Sequence, residues 1–424
     1  MENTAQWSFI KRLSFRFIFL YLVFNCLPFP FGPIPFTGQI AGQYIYFWSL
    51  ITPWVGRNFL GYENVNTIFT YSGDTIHDYI RLGCMLVLSI FLTLIWSVID
   101  YKRSNYERLD QWLRVYVRFF LAERMIAYGA IKVIKCQFPD LSLHRLVQPF
   151  GEASPMGLVW AFMGYSEPYN IFTGAAEMLG GILLVTPALT TLGSLVCIGV
   201  LSNIVMLNFG YDVPVKISSS HFMMMAIFLL FPDLKRLANI FILNRSVQAI
   251  EFKPLFTKEL FNSVARISRA VFMIFLLSQN LLYAYQRRLT EELSLPPPLY
   301  GIWETNEFIA NKEILPPLTT DNVRWRRIIF DKFNKCTIFL MDDTKLPLLH
   351  IANTDNSTVI LGDSYTPKEI ITLSFQQLET GQLVLEGPFR GKQIKVTLTR
   401  IDENKFTVKS RGFNWINPYP FNPY

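Results

Sequence analysis

The sequence predicts an α-helical membrane bundle of about seven transmembrane helices, followed by a C-terminal antiparallel β-barrel-like domain. Of its 424 residues, 51% are hydrophobic and 15% are aromatic, and the mean hydropathy is +0.27. Several apolar runs reach about 18 residues, which is enough to span the hydrocarbon of a bilayer. From about Tyr300 the pattern changes to short runs that alternate between apolar and polar residues, which indicates strands.

Residues 1–110 are predicted to hold two membrane helices and one helix in the outer interface. The first span covers about Phe15 to Phe31, and the preceding Lys11, Arg12 and Arg16 predict a cytoplasmic N-terminus. The stretch GQYIYFWSLITPWVG is short and rich in Trp and Tyr, which favours a helix that lies in the interface. The second span covers about Leu82 to Ile99.

Residues 111–245 are predicted to form a four-helix membrane core. Its spans cover about Trp112–Lys135, Ile171–Val185, Leu192–Phe209 and Ile217–Phe231. Ionisable groups at membrane depth cost roughly 2.5 to 3.5 kcal/mol each. The first of these spans, the third of the chain, nevertheless contains Arg114, Arg118, Glu123, Arg124 and Lys132. These charges must pair inside the bundle or line a polar cavity.

Residues 246–290 are predicted to hold a cytoplasmic helix and the last span, about Val271 to Tyr285. Seven crossings from a cytoplasmic N-terminus put every strongly basic loop on the inner side, as membrane proteins prefer. The net charge of +7 is explained by these loops, so no nucleic-acid partner is expected. We expect a multi-pass protein of the inner (plasma) membrane whose β domain, residues 299–424, is extracytoplasmic.

The β domain is predicted to be a meander of eight or nine antiparallel strands. Nine alternating runs extend from GIWETNEF to KFTVKS, and turn clusters such as DNS and ETG separate them. Closure into a small barrel would remove exposed strand edges. Trp303, Trp325 and Trp415 are expected in the barrel core or at its closed end.

Polar residues of four helices are expected at a similar depth in the outer half of the membrane, at a rise of about 1.5 Å per residue. They predict one outward-facing pocket. Its catalytic candidates, which would supply hydrogen bonds and proton transfer, are Lys132, Glu177 and His221. Its ligand-binding candidates are Tyr128, Glu152, Asn203, Asn208, Asp212 and Lys216.

Three interpretations of these residues stay open. The charged side chains form structural pairs that fix helix packing, or they bind a ligand, or they line an ion or proton path. A lone histidine such as His221 is more often a polar residue that caps the start of its helix. Glu123 and Arg124 form a charged pair near the midplane, to which the sequence assigns no partner and no role.

The cysteine and histidine patterns predict no metal site. The five cysteines include no CxxC pair, and the four histidines include no HxxxH pair. Cys26, Cys84 and Cys136 fall toward the outer ends of their helices, so one disulfide is compatible with the topology. Separate buried thiols are favoured.

Gly129 and Lys132 lie near the end of one span, and Glu177, Gly180 and Gly181 lie on the next. Through these residues the region from about residue 112 to 235 resembles the DoxX family of small membrane proteins. The start YGIWETNEF and the ending RGFNWINPYPFN resemble the extracytoplasmic domain of larger DoxX-like proteins, and the G-x-W start also resembles lipocalin-like barrels. The general layout is faintly similar to that of vitamin K-dependent γ-carboxylase relatives.

The DoxX resemblance implies a membrane protein near redox chemistry, because family members are linked to quinone-coupled sulfur oxidation, amine dehydrogenase maturation and thiol redox homeostasis. We therefore expect a redox or redox-accessory protein that binds a small apolar molecule such as a quinone. Membrane lipid and a redox protein are its expected partners. The alternative is a non-enzymatic lipid-binding, transport or membrane assembly protein whose β domain captures a ligand or partner.

Overall fold

The computed structural model describes residues 6–67, 73–249, 257–293, 296–363, 370–378 and 381–422. The chain divides into two compact units. The helical unit comprises Met1–Phe138 and Ser154–Arg288, and the β unit comprises Pro139–Ala153 and Leu289–Tyr424. The segment 139–153, which the sequence placed in an outer loop of the region 111–245, thus belongs to the β unit.

Twelve helices occur in the described part of the chain, and α5 and α12 are short helices of the β unit. They are α1 (Phe9–Cys26), α2 (Gly38–Phe59), α3 (Ile76–Ile99), α4 (Glu107–Val133), α5 (Leu143–Val147), α6 (Pro155–Tyr165), α7 (Glu167–Val185), α8 (Thr190–Gly210), α9 (Lys216–Leu230), α10 (Leu234–Phe241), α11 (Glu259–Leu293) and α12 (Thr407–Ser410).

Four helical segments of the described residues are long and apolar enough to cross a membrane: Ile76–Ile99, Pro187–Gly210, Lys216–Phe241 and Glu259–Leu293. They correspond to the second, fifth, sixth and seventh predicted spans. The other three predicted spans form α1, α4 and α7, which are not among these four segments. The structure therefore shows a helical unit with four membrane-length segments, and the count of seven crossings stays a prediction.

The backbones of α4 and α7 touch. A β-carbon on Gly174 would lie only 2.7 Å from the carbonyl oxygen of Gly129 and 2.8 Å from the β-carbon of Lys132. A β-carbon on Gly181 would lie 2.8 Å from the carbonyl oxygen of Ala122. Small residues allow this close approach, which is typical of membrane helix pairs. Glycine is thus required at these positions by packing, and it sets the register between the two helices.

A buried arginine connects α1, α3 and α4. The Arg16 guanidinium donates hydrogen bonds to the hydroxyl of Tyr106 at 2.9 Å, the hydroxyl of Ser97 at 2.8 Å and the carbonyl of Asp100 at 2.9 Å. The Tyr106 hydroxyl in turn donates to the Asp100 carboxylate at 2.9 Å. The sequence assigned Arg16 only a flanking role. Its network satisfies a buried cation and joins the N-terminal helices to the start of α4.

The β unit is a closed antiparallel barrel of eight strands with one further two-residue strand. Its strands are β1 (Gly301–Ala310), β2 (Glu313–Ile314), β3 (Trp325–Phe330), β4 (Lys335–Leu340), β5 (Lys345–Asn353), β6 (Thr358–Asp363), β7 (Ile370–Gln377), β8 (Gln382–Phe389) and β9 (Lys392–Ile401). Consecutive strands pair from β3 to β9, β1 pairs with both β3 and β9, and β2 pairs with the end of β1. The β1–β9 pairing, from Ile302 with Ile401 to Ala310 with Ile394, closes the ring.

Large side chains fill the barrel interior. Trp303, Trp325, Phe308 and Phe330 are all buried in one core, as expected for a small barrel that is packed by its own residues. Two expectations were wrong. The run KFTVKS forms a 3-10 turn and α12 instead of a ninth strand, and Trp415 lies beyond the last strand, 91% exposed.

The segment 139–153 covers part of the barrel's outer face. Leu143 is fully buried against Ile302, Ile329 and Phe339, which project outward from β1, β3 and β4. The His144 ring lies 5.8 Å from the Phe339 ring, and Lys345 forms an ion pair with Glu152. Apolar burial and this ion pair together fix the segment to the barrel.

The α4–α7 contact predicts a sharp difference between two glycine substitutions. Gly174→Ala should destabilise the protein by about 1–3 kcal/mol, because a methyl group there forces the backbones apart. Gly199→Ala on α8 is the matched control, since a β-carbon there would meet nothing within 4 Å. Thermal unfolding in detergent measures both variants. Equal melting temperatures for the two would contradict the close contact.

The barrel should lose stability as the pH falls, in part through His350. This histidine is fully buried, its ring lies 5.0 Å from the Phe330 ring, and burial lowers its pKa from the ordinary 6.5. Below about pH 6.5 the unfolded chain therefore binds more protons than the folded barrel. The free energy of unfolding of the barrel decreases as the pH is lowered through this range.

His350→Leu should make the stability of the β unit less dependent on pH below 6.5. Pulse proteolysis of the full chain in urea measures this stability. The proteins with and without His350→Leu should both carry His144→Gln, because burial also lowers the pKa of His144 and would add its own pH dependence. An unchanged pH dependence would contradict this account of His350.

Candidate functional site

Lys132 and Glu177 form a buried ion pair between α4 and α7. The Lys132 ammonium lies 2.7 Å from Oε1 and 2.8 Å from Oε2 of Glu177. The two residues are only 7% and 1% exposed. Since Gly174 lies one turn before Glu177 and touches the Lys132 β-carbon, the glycine contact brings the two charges together. In this low-dielectric setting the pair is strong while complete and costly when broken.

Tyr128 lies one turn before Lys132 on the same face of α4. The Lys132 ammonium is 5.7 Å from the centroid of the Tyr128 ring, within the range of a cation–π contact. The Tyr128 ring also packs 6.2 Å from the ring of Phe222 on α9. Tyr128 is 38% exposed, in contrast to the buried charges beside it.

Glu123 and Arg124 pair with each other. The Arg124 guanidinium donates to the Glu123 carboxylate, and the Glu123 side chain is almost fully buried while that of Arg124 is partly exposed. Arg124, Tyr128 and Lys132 follow at steps of four residues, so they share one helix face. Polar groups thus line α4 over about 12 Å of its length, from Arg124 to Lys132.

His221 lies on α9, and its hydrogen-bond partners are not residues of the Lys132–Glu177 pair. Its Nδ1 is 2.7 Å from the carbonyl oxygen of Ile217, and its Nε2 is 2.7 Å from the hydroxyl of Tyr21 on α1. A carbonyl only accepts, so Nδ1 carries the proton and Nε2 accepts from the tyrosine. Both ring nitrogens of His221 are therefore occupied by α1 and by its own helix. This is a structural link, and the sequence did not identify Tyr21.

The remaining helical candidates lie around the α8–α9 connection. The Asn208 amide donates to the hydroxyl of Ser219 at 3.0 Å, and Asn203 is exposed. Asp212 and Lys216 form an ion pair at 2.8 Å, with the Asp212 side chain 84% exposed. Asn208, Asp212 and Lys216 thus stabilise the turn between the two helices.

Asp74, which precedes α3, caps the start of α9. Its carboxylate accepts from the backbone N–H groups of Lys216 at 2.7 Å and Ile217 at 2.9 Å. An anion is favoured there, because these groups are unpaired within the helix and the helix dipole is positive at its start. Sequence reasoning missed Asp74, since its partners lie more than a hundred residues away.

Glu152 belongs to the β unit, where it pairs with Lys345. The predicted constellation is therefore divided among several places. Lys132, Glu177 and Tyr128 form one cluster, His221 bonds to Tyr21, and the α8–α9 residues bond among themselves. Lys132 and Glu177, with Tyr128 beside them, are the strongest candidate site in the described residues of the helical unit.

The structure offers no metal centre in the residues it describes, since no group of three or more His, Cys, Asp or Glu side chains could hold an ion. Cys26, Cys84 and Cys136 are free thiols, as are Cys197 and Cys336. The favoured interpretation of separate thiols therefore agrees with the structure, and the alternative disulfide does not form.

Removal of one partner of the buried pair should be far more costly than removal of an exposed one. Lys132→Met leaves the Glu177 carboxylate buried and unpaired, and it should cost about 3–5 kcal/mol. Lys132→Met with Glu177→Met should recover part of this loss. The control Asp212→Asn breaks an exposed pair and should cost less than about 1 kcal/mol. Thermal unfolding in detergent compares the four proteins, and similar losses for Lys132→Met and Asp212→Asn would contradict the buried pair.

Comparison with known proteins gives one relative of clear similarity. No protein-family model and no solved structure matches the chain, so the DoxX resemblance is not confirmed. The chain is 34% identical over 127 residues to the uncharacterized protein YwoB of Bacillus subtilis (strain 168). These residues are 29% of this chain and 79% of YwoB. The chain therefore belongs to the family of YwoB.

Proposed function

We propose that this membrane protein binds a small lipid-soluble molecule with a polar head group, such as a quinone, at Lys132, Glu177 and Tyr128, and that it has a redox or redox-accessory role. The observation that carries the proposal is a buried Lys–Glu pair beside a partly exposed tyrosine. Intramembrane ionisable residues mark functional sites by default, because they are costly to place there. The DoxX resemblance supports the redox part.

The chemistry of the three residues suits such a head group. The Lys132 ammonium has three donors, of which the Glu177 carboxylate occupies part, so a carbonyl oxygen of the ligand would accept another. Glu177 would exchange a proton with the ligand while Lys132 balances its charge. The Tyr128 ring would contact the apolar part, because it lies beside the pair and is partly exposed.

The membrane topology proposed with this function is seven crossings in the inner (plasma) membrane, with a cytoplasmic N-terminus and an extracytoplasmic β domain. Four membrane-length segments support a membrane protein. The distribution of basic residues beside the helices supports the orientation. α1, α4 and α7 would then cross as helices whose charges are satisfied inside the bundle, as Arg16, Lys132 and Glu177 are.

One observation favours a second candidate, a non-enzymatic lipid-binding, transport or membrane assembly protein. Lys132 and Glu177 satisfy each other directly at the point where α4 and α7 touch, which a purely structural pair would also do. The β unit would then capture a ligand or partner on its outside, because aromatic and aliphatic side chains fill the described barrel core.

Ligand binding separates the two candidates. Protein purified in mild detergent should carry quinone in its lipid extract, detected by mass spectrometry, and added quinone should raise its melting temperature. Glu177→Gln should lose at least about tenfold in quinone affinity, since a lost charged hydrogen bond is worth about 1.5–3 kcal/mol. Asp212→Asn is the control and should bind normally.

The redox proposal fails if wild-type protein neither retains quinone nor responds to it. It also fails if quinone binds Glu177→Gln and the wild type equally.

The proposed topology predicts an active alkaline phosphatase fusion at the C-terminus, because this enzyme folds only outside the cytoplasm, where its disulfides form. A fusion truncated after α3 should be inactive, since two crossings return the chain to the cytoplasm. Phosphatase activity normalised to the amount of fusion protein is the measurement. An inactive C-terminal fusion would overturn the orientation of the β unit.

A further inference from the structure

The end of the β unit exposes an ordered cluster of large apolar side chains. After α12, residues 411–422 (RGFNWINPYPFN) form what we name the aromatic tail. Trp415 is 91% exposed and Ile416 is 88% exposed, and Phe413 and Tyr419 are also largely exposed. Apolar exposure on this scale marks a binding surface.

The tail is held in shape by its own contacts. The Arg411 guanidinium lies 4.2 Å from the centroid of the Phe421 ring and also donates to the side chain of Asn417. The Phe413 and Trp415 rings meet edge to face at 5.2 Å. Arg411 thus joins the start of the tail to its end, and Trp415 and Ile416 lie in the loop between them.

The chemistry of the tail is that of a membrane interface. Trp and Tyr combine an apolar ring with a polar N–H or O–H group, and they are enriched where lipid meets water. From Lys405 to residue 422 the chain has three basic residues and no acidic one. Lys409 forms an ion pair with Glu403, so Lys405 and Arg411 are the basic residues that can meet headgroups. Basic side chains near a membrane surface are attracted to anionic headgroups by about 1 kcal/mol each.

The end of the barrel from which the tail emerges is also the end that a short linker joins to a membrane-length helix, because Ile302 at the start of β1 pairs with Ile401 at the end of β9. α11 is one of the four membrane-length segments, and only seven residues separate its last residue, Leu293, from the first residue of β1, Gly301. Seven extended residues reach at most about 25 Å. A bilayer surface is therefore always within reach of the β unit, whereas a protein partner would have to be recruited.

We propose that the aromatic tail binds the interface of a bilayer that contains anionic lipid, with Trp415 and Ile416 inserted among the acyl chains and Lys405 and Arg411 at the headgroups. The tail is then a second membrane anchor, in addition to the helices. This role is independent of any ligand at Lys132 and Glu177, so each proposal can fail without the other.

The test measures the fluorescence of Trp415 in the full chain, reconstituted as single copies in lipid nanodiscs. The difference between the emission of wild type and Trp415→Phe isolates this tryptophan. In anionic lipid brominated near the headgroup end of its acyl chains, the Trp415 emission should be quenched. In unbrominated lipid, its emission maximum should lie at a shorter wavelength than that of a tryptophan exposed to water. The control is Trp303→Phe, because Trp303 is buried in the barrel core and its difference emission should not respond to bromine.

Substitution of zwitterionic for anionic brominated lipid should weaken the quenching of Trp415. Equal quenching in both lipids would contradict the role of the basic residues. Trp415 emission that is not quenched in either lipid, at a wavelength typical of water, would overturn the proposal. The same outcome is expected if the tail binds protein instead, because single-copy nanodiscs offer it only lipid.

Discussion

The contact between the backbones of α4 and α7 determines where the charges of the helical unit lie. Gly129 and Gly174 let the helices meet without intervening side chains, so the short distance from α4 to α7 can be spanned by one lysine and one glutamate. A larger residue at either glycine would push the helices apart and weaken this ion pair. The packing of the two helices and the ion pair of Lys132 and Glu177 are therefore coupled, so the effects of substitutions at the glycines and at the charged residues on stability should not add.

The same principle recurs where other charges of this unit are buried. Arg16 has three acceptors on α3 and α4, and Asp74 binds the start of α9 with two hydrogen bonds. Each removes an unpaired polar group at the cost of fixing two or more elements to one another. The contacts of Arg16 join α1 to α3 and α4, and those of Asp74 join the segment before α3 to α9. Tyr128 differs from these charged groups because it is partly exposed.

The sequence anticipated that Lys132 and Glu177 lie close together, but it did not predict the direction of several other polar side chains. Depth follows from helix rise, so Lys132 and Glu177 were expected at one level, and the structure brings them into contact. His221 was expected at that level too, but rotation about a helix axis depends on packing, and α9 presents His221 to Tyr21. Glu152 was expected in a loop beside the pocket, whereas the burial of Leu143 holds its segment on the barrel.

In the β unit, alternation predicted eight strands because inward and outward side chains meet different environments. It failed for KFTVKS, whose alternation is satisfied by a short helix at the end of β9. It also failed for Trp415, since a tryptophan outside the barrel has the same sequence signature as one inside. Which tryptophans are buried depends on where the barrel closes. The closing pairing of β1 with β9 joins segments nearly a hundred residues apart, so a local sequence pattern does not predict it.

The distance between the Lys132 ammonium and the Glu177 carboxyl in a lipid bilayer tests the central claim most directly. Solid-state NMR on protein with ¹⁵N-labelled lysine and ¹³C-labelled glutamate measures their dipolar coupling, and the Glu177→Gln spectrum identifies the signal of this pair. A coupling that matches direct contact, with N–O distances of 2.7 and 2.8 Å, is the predicted result. A Lys132 signal without coupling to Glu177 would contradict the buried pair and the site built on it.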